Sequence, residues 1–246
     1  MRVHLQPAYL LHRRPFRDNT EVAELFCAEQ GRMAVLARGM ARRRRGGALS
    51  ALLQPFQPLL VSYSGRGELP ALTGVEGAGA LPPLVGEALL SGFYLNELLL
   101  RLLERGQAQS SLFTAYGSAL GELSDRGPGD VEPVLRSFEF ELLRELGYAV
   151  DFSREAGTGV PLRGDCHYRL VPEQGFYAAE EVREHGDGSD RFSGEALLAV
   201  ASGRFEGNVA PVAKRLVRVL LHPHLGPRPL RSREMFRSRR GRVAVS

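Results

Sequence analysis

Cysteine is scarce in this chain. Cys27 and Cys166 are the only two, too few for a disulfide framework and placed in what read as different domains, so a reducing cytoplasm is expected. Lysine is scarcer still. Lys214 stands alone and every other cationic side chain is an arginine, a bias that fits genome composition as well as it fits bidentate contact with phosphate. Long apolar runs are also missing. The stretch from Leu84 to Leu103 is broken by Glu87, Asn96, Glu97 and Arg101, and MRVHLQPAYLLHRRPF is interrupted by Arg13 and Arg14, so neither a membrane span nor a signal peptide is expected. Absent too are the phosphate loop GxxxxGK[ST], the dinucleotide fingerprint GxGxxG, the nucleophile elbow GxSxG and the zinc-protease pair HExxH. The glycines of GVEGAGA read as a linker, and Glu139 with Glu141, or Glu180 with Glu181, as solvated faces. An enzyme is not expected.

What is present is segregated charge. Residues 1–45 carry ten arginines against four acids, and residues 226–246 carry seven arginines against one. The ends are thus +6 each, and with a total of +4 the middle must be −8. Two basic ends around an acidic middle suit a polyanionic partner. Hydrophobic residues make up 43% and charged residues 24%, enough for a packed core.

Five short strands are expected at Ala8–His12, Val22–Ala28, Arg32–Arg38, Gln57–Tyr63 and Glu68–Val75. Between them lie Pro15 to Thr20, the Gln30-Gly31 turn, the arginine loop GMARRRRGG and the turn Ser64 to Gly67. Leu59, Val61 and Tyr63 alternate as a half-buried strand requires. Five strands in so short a span suggest a small closed barrel, of which the oligonucleotide-binding (OB) fold is the commonest kind. Gly74 to Pro83 reads as a domain boundary. Helices are expected from Leu84 to Glu104, Ser111 to Leu123 and Val131 to Leu146, the last with Pro133 in its first turn and Gly147 at its end. Residues 151–190 lose periodicity and read as an irregular insertion with one hairpin near Tyr168 to Tyr177. Helices return after Ser193 and after Asn208, and residues 226–246 form a basic tail. The fold class is therefore α+β: an amino-terminal barrel over residues 1–80, then a helical bundle over 81–246.

Among candidate sites, Asp165, Cys166 and His167, with His222 and His224, offer metal-ligating atoms, but a structural zinc needs about four ligands with paired cysteine spacing. No metal or other cofactor is expected. The arginine loop is the strongest positive signal. Arg13, Arg14, Arg38 and Arg66 should lie near the strand ends that flank it, interleaved with Tyr9, Phe16, Phe56 and Tyr63. Guanidinium groups for phosphates and aromatic rings for bases together hold single-stranded nucleic acid, although the rings also serve as barrel core. An RNA-binding barrel would show the same features, and a nuclease would need Asp18 and Glu21 as metal ligands.

The blocks AYLLHRRPFRDNT, EQGRMAVLARGMARRRR, LLQPFQPLLVSYSGRGEL, SGFYLNELLLRLL, LRSFEFELLRELGYAVDF and HPHLGPRPLRSREMF, in that order along nearly the whole chain, resemble the RecO family of bacterial DNA repair proteins. The resemblance implies an OB barrel followed by a helical domain, in a cytoplasmic, nucleoid-associated recombination mediator. It also implies binding of single- and double-stranded DNA, annealing of strands coated with single-stranded DNA-binding protein, and cooperation with RecR in loading RecA. The family's basic segment matches Arg38 and Arg42, Arg43, Arg44 and Arg45, to which Arg13, Arg14 and Arg66 are added as DNA contacts. A pocket for the acidic and apolar tail of the single-stranded DNA-binding protein is implied at Arg136, Phe140, Leu143, Lys214 and Arg215, the alternative being that Arg136 pairs with Glu132 or Glu139 on its own helix. Many family members hold zinc with four cysteines in the region of residues 151–190, where this chain keeps only Cys166.

Overall fold

The computed structural model describes residues 2–17, 19–38, 51–127, 129–179 and 191–236. By internal packing the chain divides into two compact units, Met1–Pro128 with Arg228–Ser246, and Gly129–Pro227.

The first unit is built on an OB barrel of five strands, β1 (Arg2–Arg17), β2 (Thr20–Cys27), β3 (Gly31–Arg38), β4 (Leu59–Ser64) and β5 (Ala71–Gly77), closed in the order β1-β2-β3-β5-β4. The long first strand closes it. Residues Arg2 to Ala8 pair with β4, whereas Ala8 to Arg17 pair with β2. A single parallel contact, Leu36 opposite Ala71, joins β3 to β5. Because alternate side chains of a strand point to opposite faces, Ala23, Leu25 and Cys27, Val35 and Ala37, and Leu59, Val61 and Tyr63 all enter the barrel interior. The other face of β2 presents Phe26, which with Tyr9 packs against Phe113 and Tyr116.

Those last two rings belong to α2 (Ser110–Asp125), which follows α1 (Gly86–Leu102). Asn96 of α1 links barrel and helices, donating to the Leu11 carbonyl at 2.9 Å and accepting from the Tyr116 hydroxyl. The sequence division at residue 80 thus falls between the barrel strands and α1, while packing seats α1 and α2 with the barrel. Gly31 at the β2–β3 turn has φ +62°, and a Cβ there would stand 1.7 Å from the Gln107 carbonyl oxygen, so only glycine fits. The basic tail is not wholly solvated as its composition suggests. Glu97 accepts the backbone N–H groups of Arg231 and Ser232 and the Ser232 hydroxyl, and Arg101 donates to the carbonyls of Arg228 and Pro229.

The second unit contains α3 (Glu132–Glu145), a sheet in the order β7-β6-β8 from β6 (His167–Val171), β7 (Gly175–Ala178) and β8 (Arg191–Ser193), then α4 (Gly194–Ala201) and α5 (Ala210–Leu221). Helix α3 ends as expected, with Gly147 at φ +76° and Tyr148 N–H bonded to the Leu143 carbonyl, a left-handed terminus that glycine favours. Ser193 caps α4 by accepting from the Ala196 N–H. The buried face of α5 is Ala213, Leu216, Val217, Leu220 and Leu221. Val212 and Val219 lie at its half-buried margins. The irregular insertion is tied down by aromatic packing. Phe152 contacts Phe140 and Phe176, and Phe140 stacks on Phe205 at 5.5 Å.

Candidate nucleic-acid interface

Strand register gathers Arg13, Arg14 and Arg17 of β1 and Arg38 of β3 at one end of the barrel. Arg14 lies opposite Val22, and Arg17 opposite Thr20, which on its other side faces Arg38. Directly opposed residues share a face of the sheet, so Arg14, Arg17 and Arg38 all stand on the Thr20–Val22 side, and all three are exposed. None of the three has an acidic partner among the described residues. Arg13 points to the other face, half-buried, with its guanidinium 3.8 Å from Glu21. Such an array of unneutralised guanidinium groups attracts phosphate oxygens.

Residues Arg42, Arg43, Arg44 and Arg45 lie outside the described residues; in the chain they follow closely on Arg38, the last residue of β3. Arg66 does not join the cluster. It lines a cavity of about 570 Å³ with Gln30, Met33, Tyr63, Pro70 and Arg105, and Gln30 and Met33 mark the opposite end of β3 from Arg38. Because β5 runs parallel to β3, the β4–β5 turn that leads into β5 lies beside the start of β3 and not beside Arg38 at its end. Arg17, overlooked because PFRDNT reads as a turn, takes its place. β1 runs on through Pro15, which sits beside a register shift between Pro15 and Arg17, where a strand tolerates proline.

Of the four interleaved aromatics, Tyr9, Phe56 and Tyr63 are buried. The Tyr63 hydroxyl is bonded to Gln6 and Gln30, and burial pushes its pKa up to about 12. Phe16 alone of the four stays exposed, at 43%. Two further arginines are structural. Arg32 and Arg105 converge on the buried carboxylate of Glu24, and Arg32 also donates to the carbonyls of Leu100 and Leu103.

In the second unit the five residues assigned to a partner tail are distributed differently. Arg136 is 4% exposed and Glu139 is fully buried. The Arg136 Nη2 donates to Glu139 Oε1 at 2.9 Å, and Nε lies 2.8 Å from Oε2, close but poorly aligned for a second bond. Glu132 stands 3.7 Å from Arg136 and also accepts from Lys214. A chain of alternating charge, Lys214–Glu132–Arg136–Glu139, therefore crosses from α5 to α3. Leu143 is fully buried. Phe140 is half-buried in the aromatic cluster, and Arg215 covers the Phe192 ring at 4.4 Å. The alternative weighed for Arg136, pairing on its own helix, describes its contacts.

Among the described residues no group of three or more His, Cys, Asp and Glu stands close enough to hold a metal. Cys166 contacts Asp165 at 3.6 Å, and His224 stacks on Tyr148 at 3.5 Å. No helix among the described residues is long and apolar enough to cross a membrane.

The division of charge along the chain becomes a division between units. The first contains 21 arginines against 12 acidic residues, the second 11 basic against 16 acidic residues. The barrel unit is thus +9 and the other −5, and a polyanion is drawn to the former.

Comparison with known proteins agrees with this organisation. The family models for the Recombination protein O N terminal and C terminal match residues 1–80 and 84–234. The chain is 44% identical over 239 residues to DNA repair protein RecO of Cellvibrio japonicus, covering 96% of this chain and 98% of the relative. It is likewise 44% identical over 239 residues to DNA repair protein RecO of Alkalilimnicola ehrlichii, covering 96% and 92%. With DNA repair protein RecO of Yersinia pestis the identity is 43% over 233 residues, covering 94% and 93%. The barrel, the helices that follow it and these matches over nearly the full length lead to one conclusion: the chain belongs to the RecO family of DNA repair proteins.

Proposed function

We propose that the protein is a non-enzymatic recombination mediator that binds single- and double-stranded DNA through its barrel and anneals complementary strands coated with single-stranded DNA-binding protein. The observation that carries this reading is the array of Arg14, Arg17 and Arg38, exposed on one face at one end of an OB barrel. Arg13 at the same end, and Arg42 to Arg45 beyond it in sequence, extend the array; Arg66 supplies a separate contact. Annealing needs no bond chemistry. Two strands repel through their phosphates, and a cationic surface that holds them lowers that repulsion while raising their local concentration.

The second unit supplies the recruitment step. A tail of acidic and apolar residues ending in a carboxylate needs cations beside an apolar surface; in this reading the partly exposed Lys214 and Arg215 meet it first, and Arg136, Phe140 and Leu143, buried or half-buried as they stand, would have to be uncovered by it. Glu132 holds Lys214 and Arg136 in the meantime, and a tail carboxylate would compete for them. RecR then joins in loading RecA on the exposed strand.

The test is fluorescence annealing of complementary strands pre-coated with single-stranded DNA-binding protein. Wild type should anneal them, whereas a variant with Arg14, Arg38, Arg42, Arg43, Arg44 and Arg45 changed to alanine should remain folded and lose annealing. Equal annealing by both proteins would move the DNA path away from the barrel. Preference for RNA over DNA in competition would replace the reading with an RNA-binding one.

A further inference from the structure

A phenyl ring exposed on a β-barrel is unfavourable unless something covers it, since burying apolar area is what stabilises such a side chain. Tyr9, Phe26, Phe56 and Tyr63 of the first unit follow that rule and are buried. Phe16 does not follow it, and its backbone explains how it is held out. Pro15 lies opposite Glu21 and Arg17 opposite Thr20, so two steps along β1 answer one step along β2 and Phe16 is the extra residue. A β-bulge of this kind re-aims a side chain out of the strand's alternation. The surroundings are cationic. The Arg17 guanidinium carbon lies 5.3 Å from the Phe16 ring centroid, which puts both side chains on one side of the sheet, the side that also carries Arg14 and Arg38.

We propose that Phe16 is the base-stacking platform of the barrel, receiving one unpaired base of a single strand whose phosphates lie on Arg14, Arg17 and Arg38. This rests on the DNA-binding reading above and adds to it a discrimination that arginines alone lack. Phosphate contacts serve single and double strands alike. A free aromatic face stacks only on a base that is not already stacked and paired within a duplex. The bulge thus makes one site prefer single strands, and the preference is indifferent to sequence because every base offers a π-face. A protein partner would instead need acids to meet three guanidinium groups around one ring. The surface favours nucleic acid because one phosphodiester strand supplies both charge and ring.

The chain contains no tryptophan, so Phe16→Trp places a single indole reporter at the site. Titrating this variant with a dT 20-mer should quench its fluorescence as binding saturates. Phe16→Ala and Phe16→Leu should bind the 20-mer about tenfold or more weakly than wild type, with an unchanged slope of log affinity against log salt, because stacking releases no counterions. Against a 20-mer made entirely of abasic sites, wild type and Phe16→Ala should bind equally. Should Phe16→Ala not fold, judged by circular dichroism, Phe16→Leu and Phe16→Trp carry the comparison. An indole left unquenched in Phe16→Trp at saturating DNA, or wild-type affinity in both Phe16→Ala and Phe16→Leu, would overturn the platform while salt-dependent wild-type binding left the DNA-binding reading standing. Absence of wild-type binding to the 20-mer would remove that reading, and the platform with it.

Discussion

Replacing Arg136 by alanine should be a stability lesion before it is a binding lesion. Its guanidinium is 4% exposed and faces the fully buried carboxylate of Glu139 at 2.8–2.9 Å. Two charges in that setting have already lost their hydration, and removing one leaves the other charged in a poorly solvated place, at a cost of about 3–5 kcal/mol. Glu132, 3.7 Å away and half-exposed, is too distant and too hydrated to change that order of magnitude. Against a typical total stability of about 5–15 kcal/mol the loss is large. With a denaturant dependence of about 2 kcal/mol per molar urea, the midpoint should fall by about 2 M. Replacing the pair together, Arg136→Met with Glu139→Leu, removes both charges and keeps apolar volume, and should restore most of the midpoint. Equilibrium urea unfolding followed by circular dichroism reads both variants. A midpoint for Arg136→Ala within about 0.3 M of wild type, about 0.6 kcal/mol at that slope, would refute the buried-pair argument and leave Arg136 as a surface group whose purpose is the partner tail.

Phosphate contact predicts a salt effect. Each of Arg14, Arg17 and Arg38 neutralising one phosphate contributes about 0.7 to the slope of log affinity against log salt for a single strand, so the triple alanine variant should be shallower by about 2; an unchanged slope measured by anisotropy would remove these residues from the interface. Glu132→Gln should release Lys214 and Arg136 and raise affinity for an acidic tail peptide by no more than about fivefold, the scale of a partly exposed ion pair, whereas a loss of affinity by calorimetry would make Glu132 part of the docking surface. Burial pushes the Cys27 thiol up to about 12, while Cys166 is partly exposed, so one thiol should react with a disulfide reagent at pH 8 in the native protein and two in denaturant; two fast equivalents in the native state would contradict the packing of β2. Burial raises the Glu97 carboxyl, but bonds from Ser232 and Arg231 and the Arg101 charge outweigh it and hold the group below its usual 4.5. Its contribution is then fully present above that value and lost as pH falls through the depressed one, so the hydrogen-exchange protection factors of residues 228–236 should fall once the pH drops below that depressed value, and protection that persists in Glu97→Ala at pH 7 would disprove the clasp.

Strand β4 was legible because its interior face writes a period of two into Leu59, Val61 and Tyr63. Helix α3 was legible through its apolar stripe and through Gly147, whose left-handed conformation ends it. Features that depend on distant partners were not legible. Pro15 reads locally as a breaker, and only pairing with Glu21 shows β1 continuing past it. Arg66 follows a strand end like Arg38 does, yet barrel closure sends the two to opposite ends of β3. Nothing near Leu230 or Ser232 announces that they are buried, because the group that accepts from Ser232 is Glu97, far back in the chain. The arginines resist assignment for a related reason. Arg14, Arg32 and Arg136 are one residue type, and whether a guanidinium waits for phosphate or neutralises Glu24 or Glu139 depends on which carboxylate the fold brings to it.

That distinction bears on how, in the proposed function, one chain would bind DNA and an acidic protein tail without confusing them. A partner tail carries the same sign of charge as DNA, and the +9 unit would attract both. In the −5 unit the three cations assigned to the tail are already matched: Lys214 and Arg136 by Glu132 and Glu139, and Arg215 by the face of Phe192. A long polyanion gains nothing there, because each phosphate it brings must displace a carboxylate and meet the surrounding negative potential. A short tail gains from apolar burial beside the cations as well, and can offset the displacement of one half-exposed glutamate. On the barrel the balance reverses. Arg14, Arg17 and Arg38 have no carboxylate to displace among the described residues, so in the proposed function phosphates would bind them with counterion release as the driving term. Selectivity between the two anions then follows from which arginines the fold has already paired, and exchanging that state, by adding an acid beside Arg38 through Thr20→Glu, should weaken DNA binding while leaving tail affinity unchanged, both readable by anisotropy with labelled 20-mer and labelled peptide; equal loss of both affinities would show the two anions sharing one surface.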